Sequence, residues 1–340
     1  MDGPDYDTDV DAVWAMHWQA DHCRQLQSPI AGAVCDAVAD DLAAGGPLVD
    51  HIPPTTRFGD WIGVRVLGLV HRLAIERSAP QVAVCAPTLG GSSPFTAPDP
   101  DGAVAALASA VVSALVAHPD ALADALARVP QTNDPGRARA LRIALARAGA
   151  ELRRPVRLIE LGASAGLNLR ADHLPGDPAL EGGPQPEIVL RQGCDLAPVD
   201  ITTPEGRTWL SGFVWFDDPP RFAALSNALE VADRVPAKVV RADIADFVDT
   251  LTLEPGTITV VWHSAVWPYL PPDTRHRVDA SLDALGATAT TDAPLWLTSW
   301  EPSSDDQSLF ELVIERFEGG PRRQEVLATG GPHCQGLALT

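Results

Sequence analysis

The stretch VRLIELGASAGLNLRADHL, from Val156 to Leu174, decides how the chain is read. VRLIEL is a short apolar run of the kind that forms a buried strand, and Gly162 and Gly166 end it with a loop of small residues before the next apolar positions. Two chemistries use such a loop. Gly162-Ala163-Ser164-Ala165-Gly166 spells G-x-S-x-G, the nucleophile elbow of a serine hydrolase when it joins a strand to a helix. The same residues, with Glu160 at the strand end, also make a glycine loop that holds a nucleotide-like cofactor against a helix N-terminus.

Downstream, EIVLRQG, AKVVRA, GTITVVWH and APLWLTSW are further short β-branched or Leu-rich runs, separated by helical segments such as LSNALEVADRV and RHRVDASLDALG. Strands alternating with helices predict a parallel sheet, because each parallel pair needs a long crossover. The tail around FELVIERF and EGGPRR lacks helical spacers and is expected to add antiparallel strands. HLPGDPALEGGPQP is the one long irregular connection. The fold class expected is therefore α/β, a Rossmann-like doubly wound, mostly parallel sheet over residues 151–340.

Residues 1–150 read differently. VDAVWAMHWQADHCRQLQ, GAVCDAVADDLAAGG, RVLGLVHRLAIE and AVAALASAVVSALVAHPDALADALARV carry helical spacing and are punctuated by prolines, with QVAVCA the single candidate strand. An all-α N-terminal domain is expected, acting as a lid on the sheet domain.

Composition narrows the function classes. A chain of 340 residues with 46% hydrophobic and 21% charged residues is that of a soluble globular protein. No stretch approaches the ~20 uninterrupted apolar residues of a membrane span, and the acidic start MDGPDYDTDVD is unlike a signal peptide, so a cytoplasmic location is expected. The formal net charge is -20 and Lys238 is the only lysine, which argues against nucleic acid and anionic membranes as partners. Cys23, Cys35, Cys85, Cys194 and Cys334 are scattered and fit neither a disulfide framework nor a zinc site. His17, His22 and Cys23 are spaced as ordinary helix residues, so no metal is expected.

A hydrolase elbow normally follows several strands, since an earlier loop supplies part of its oxyanion hole. Here almost everything upstream is helical. The triad would be Ser164, an aspartate such as Asp305 or Asp306, and His333. The cofactor reading needs only that the loop lie outside the carboxyl end of the first strand, where doubly wound sheets bind ligands. Glu160 suits the ammonium of S-adenosylmethionine better than a pyrophosphate, which it would repel. Asp195 would end the second strand and accept ribose hydroxyls, and Asp243 would follow the third and face the adenine amino group. Either aspartate is also a common turn or cap residue. After the fourth strand, Trp262, His263 and Ser264 would lie beside the donor, His263 as a general base or as a wall of the pocket. Trp267 and Tyr269 would cover the adenine or join the core.

At these residues the chain resembles DUF2332, a bacterial family whose fold looks like that of class I S-adenosylmethionine-dependent methyltransferases. The resemblance spans nearly the whole chain. It is carried by QTNDPGR, ELGASAGLNLRAD, RQGCDLAPVD, WLSGFVWF followed by Arg221, HSAVWPYL, WEP and a closing PHCQG. It implies a methyltransferase-type domain, S-adenosylmethionine as cofactor and a small-molecule acceptor with an O, N or C nucleophile. It also draws in polar groups that periodicity does not select. Gln131, Thr132, Asn133 and Arg137 would cap the pocket or form a turn that caps the next helix. Asn168 and Asp172 would stand one turn apart on the helix after the glycine loop. Arg191 and Glu301 would orient substrate or form a buried bridge, and His333 follows a turn at Gly330-Gly331-Pro332. Ser164 stands where these enzymes commonly carry a glycine, and no N/D-P-P-Y/F motif follows the fourth strand, which argues against amino methylation of nucleic acid or glutamine. The reading from another class is a ligand-binding sensor of the same fold, which needs the acidic residues but no base.

Overall fold

The computed structural model describes residues 4–306 and 309–340. It divides into two compact units, Met1–Thr132 with Ile201–Ala223, and Asn133–Asp200 with Ala224–Thr340. The division falls at Asn133 rather than near residue 150, and the segment after the second parallel strand joins the helical unit.

The helical unit contains β1 (Asp9–Asp11), α1 (Ala12–Gln25), α2 (Pro29–Ala43), β2 (Thr55–Arg57), α3 (Ile62–Ile75), α4 (Pro80–Ala83), α5 (Pro100–Ala117) and α6 (Pro119–Ala127). Proline opens α2, α4, α5 and α6, where its fixed φ suits the first turn and its missing N–H costs nothing. That explains one departure from expectation: QVAVCA is no strand but the short helix α4, because Pro80 starts a turn closed by Val84 N–H to Pro80 O. A second is the ribbon of β1 and β2, antiparallel with Val10 opposite Thr56. Helix α3 buries Val66, Leu69, Val70 and Leu73 at helical spacing. A third departure is α5, which among the described residues is the one helix long and apolar enough by length and composition to cross a membrane. Its apolarity is mostly alanine, and it packs through Leu107, Val111, Ala114 and Leu115 into the core shared with α2.

The second half of the chain supplies β3 (Val156–Leu161), α8 (Pro178–Glu181), β4 (Ile188–Asp195), α9 (Pro204–Gly212), α10 (Pro219–Ala232), β5 (Lys238–Arg241), α11 (Ile244–Val248) and β6 (Ile258–Ser264). Then come α12 (Pro272–Ala287), β7 (Leu295–Pro302), β8 (Phe310–Phe317), β9 (Arg323–Gly330) and β10 (Ala338–Leu339), while α7 (Ala138–Leu152) precedes β3. The eight strands order as β10-β9-β8-β7-β6-β3-β4-β5. Pairs from β5 through β7 are parallel and the rest antiparallel, so the protein has a mixed α/β fold with a mostly parallel sheet. Strand order reverses between β3 and β6, and the crevice at such a switch point is where α/β sheets hold ligands.

Side chains alternate across a strand, so residues in register share a face. Ile159, Leu161 and Val261 pack with Val278 and Leu282 of α12 and Phe247 of α11. Helix α7 lies on the other face, over β6 to β9.

Candidate functional site

The glycine loop is built by its neighbours. Gly162 and Gly166 have φ of +67° and +69°, and Ser164, a residue that pays for it, also sits at +51°. Asp195 at the end of β4 holds the loop, with Ser164 N–H donating to Oδ2 and Ala197 N–H to Oδ1, both at 2.8 Å. Asn133 does the same from the other side, its Oδ1 accepting Leu167 N–H at 3.0 Å. The RQGCD glycine has a steric reason: a Cβ on Gly193 would stand 2.7 Å from Ala163 Cβ and from Glu160 O.

The helix expected after the loop is instead a six-residue 3-10 segment, Asn168–His173, kinked at Arg170. Arg170 Nη1 takes Gly166 O at 2.6 Å and its Nε takes Val235 O at 2.7 Å. No helix dipole therefore backs the loop, and Asn168 and Asp172 do not share an α-helical face. Asp172 is spoken for: Arg191 grips it with two bonds of 2.6 Å and also holds Leu169 O. The expected Arg191–Glu301 pair is thus replaced by Arg191–Asp172. Asp243 caps α11 through Ala245 N–H at 2.8 Å, the local role that aspartate takes most often.

Glu160 is 2% exposed, and burial pushes its carboxyl up to about 8, more than the Asn168 amide and the Arg170 guanidinium pull it down. Its Oε2 has no hydrogen-bond partner, nor have Ser164 Oγ and Asn168 Oδ1, all buried. The row continues along the sheet. Glu160 is in register with Trp262, and Trp262 with Thr298, while Trp300 follows two residues on. Trp262 Nε1, Thr298 Oγ1 and Trp300 Nε1 are likewise buried and unpartnered. Buried polar atoms normally find partners, so four on one face of the sheet, with Ser164 Oγ and Asn168 Oδ1 in the loop region after β3, mark a place that favours a polar ligand. Thr298 and Trp300 are not singled out by the sequence reading, although Trp296, Thr298 and Trp300 alternate along APLWLTSW and so share one face.

His263 lies on the opposite face. Its Nδ1 meets Glu301 Oε1 at 2.7 Å, its ring stacks on Trp267 at 4.1 Å between centroids, and Glu301 Oε1 also accepts Val266 N–H at 3.0 Å. Expected beside the donor, His263 is separated from Glu160 by the sheet itself, because the two differ by one residue in register. Ser264 is buried, its carbonyl accepting Arg137 Nη1 at 3.3 Å, and Tyr269 is 50% exposed rather than in the core. Arg137 Nε also reaches Pro332 O, and His333 Nδ1 pairs with Asp134, so the PHCQG segment is tied to the residues before α7. Asp134 in turn caps the QTNDPGR turn through Gly136 N–H. Gln131 is buried and belongs to the helical unit.

The hydrolase alternative loses its geometry here. Ser164 Oγ has no hydrogen-bond partner among the described residues, so no base is in place to activate it. Cys194 offers no nucleophile either, its buried thiol pushed up to about 12. Among the described residues no three His, Cys, Asp or Glu side chains are grouped to ligate a metal.

No curated protein matches the chain. Residues 14–338 match the sequence pattern of the uncharacterised proteins conserved in bacteria called DUF2332, and the chain belongs to that family.

Proposed function

We propose that the protein binds S-adenosylmethionine at the loop Gly162–Gly166 and passes its methyl group to a small-molecule nucleophile. The observation that carries this reading is the buried, unpartnered carboxylate of Glu160 at the switch point, with Ser164 Oγ and Asn168 Oδ1 unpartnered beside it. A carboxyl that burial holds protonated to about 8 is one whose ionisation a ligand ammonium would restore. In this reading Glu160 accepts the ammonium and Ser164 Oγ donates to the ligand carboxylate. Asp195 orients the loop and, with a second lone pair on each oxygen, accepts a ribose hydroxyl. The cofactor supplies an activated methyl on a sulfonium. The chain's part is to align an acceptor with it and to exclude water, which accounts for most of such a rate.

The test is calorimetric titration of S-adenosylmethionine and S-adenosylhomocysteine, with Glu160→Gln and Ser164→Ala. Binding at about micromolar Kd, weakened at least ~10-fold in Glu160→Gln and accompanied near pH 7 by release of a proton, is expected. No heat with either ligand in the folded wild type overturns the reading.

One observation favours a second reading, a ligand-binding protein of this fold without chemistry: the one histidine expected as a base lies on the other side of the sheet. Binding without methyl consumption across a panel of hydroxy, amino and enol acceptors would select it.

A further inference from the structure

On the α12 face of the sheet lies a cavity of about 510 Å³ that the methyl-transfer reading does not use. Its apolar walls are Val261, Leu282, Leu297 and Val313, and its polar end is the His263–Glu301 dyad beside Trp267. A carboxylate only accepts hydrogen bonds, so His263 Nδ1 donates to Glu301 Oε1, and in the neutral imidazole Nε2 keeps a lone pair. His263 Nε2 makes no hydrogen bond to a described residue, and Glu301 Oε2 is buried without one. Both side chains are enclosed, at 13% and 14% exposure.

The remaining lining tells the same story. Asp279 of α12 faces the cavity with neither hydrogen bond nor ion pair among the described residues, and burial, then the nearby Asp283, raises its carboxyl. Arg322 is the only arginine or lysine in the lining, and it is spent on Asp283 at 3.0 Å and on Glu315. The cavity thus offers acceptors at its enclosed end and at its mouth, with no unengaged cationic donor between them. A metal is not favoured by this set, since no three ligating side chains converge.

We infer that this cavity is a second binding site, taking a small organic cation: an amine or amidine with a short apolar body. The ammonium N–H groups meet His263 Nε2 and Glu301 Oε2, the body lies on Val261, Leu282 and Leu297, and Asp279 draws the charge in at the mouth. The site is independent of the cofactor reading, and either stands if the other falls.

The probe is benzylamine, with benzyl alcohol as its uncharged counterpart, titrated calorimetrically at neutral pH into the full-length protein. Benzylamine is expected to bind at least ~10-fold more tightly than the alcohol, and Glu301→Gln to weaken it by a similar factor, the size of one charged hydrogen bond. Asp279→Asn, an isosteric change at an exposed position, is expected to weaken it several-fold and to leave S-adenosylmethionine binding unchanged. Equal affinity for amine and alcohol, no binding of benzylamine, or full affinity retained in Asp279→Asn and a folded Glu301→Gln would each overturn the inference.

Discussion

The two faces of the eight-stranded sheet treat buried polar groups in opposite ways. Toward α12, the enclosed acid and base on adjacent strands satisfy each other, His263 with Glu301, and only one atom of each is left over. Toward α7, Glu160, Trp262 and Thr298 stand in one row across three strands, with Trp300 two residues on, and none of the named atoms has a partner. A dyad sharing a proton is self-sufficient and stabilises the apo protein. A row of orphaned donors and acceptors costs stability, roughly 1–3 kcal/mol for each group fully desolvated, and is kept where a ligand offsets the cost.

The largest effect that sharpens this contrast is steric. Trp262→Ala, at a fully buried position on the α7 face, is expected to lose about 3–5 kcal/mol in denaturant unfolding, while Trp267→Ala on the α12 face loses clearly less. Equal losses would show that the two faces do not differ in packing. Next comes the loop's support: Asp172→Ala strands Arg191 in a half-closed site and is expected to cost about 3 kcal/mol, with the double variant Asp172→Ala/Arg191→Met recovering much of it. No recovery would mean that the pair serves the loop's shape rather than its charge.

The third effect is a pH dependence. Glu160 holds its proton in the native state to about 8, whereas the unfolded chain ionises near 4.5, so over that interval the native state binds more protons and stability falls as pH rises. His71 of the helical unit, lowered to about 4 chiefly by burial, works the other way between about 4 and 6.5, where the unfolded chain binds the extra proton. The two slopes oppose each other below pH 6.5 and only that of Glu160 persists from there to 8, at about 1.4 kcal/mol per pH unit. Glu160→Gln should flatten this window, measured as Tm in buffers across it. A wild type already flat from 6.5 to 8 would refute the assignment. The smallest effect is the control: Arg277 bridges Asp246 and Asp249 in full solvent, and Arg277→Ala is expected to change neither stability nor either ligand titration.

How legible was this in the chain? Strands β3 to β7 could be read from their β-branched runs and the helices between them, and the meander after Phe310 from the missing helical spacers. Glycine positions of the loop were legible too, because a positive φ restricts the residue. What hydrogen-bonds to what was not. Asp195 and Asp243 look alike after their strands, yet one clasps the Ser164 and Ala197 N–H groups and the other caps α11. Arg191 and Glu301 stood equally ready for each other, and the fold gave Asp172 to the first and His263 to the second. QVAVCA read as a strand because five of its six residues are apolar, but the proline ahead of it and local hydrogen bonds made a turn of helix.

Local periodicity, turn chemistry and composition are properties of neighbouring residues, and for this protein they determined the α/β class, the order of elements and the loop at the end of β3. Whether Glu160 and His263 share a site depends on strand register across the sheet, which pairs Glu160 with Trp262 and so turns His263 to the other face. That one-residue parity is settled by long-range packing of α7 and α12 against opposite faces. Only the tertiary structure decided it, because no residue near either side chain in the sequence carries the information.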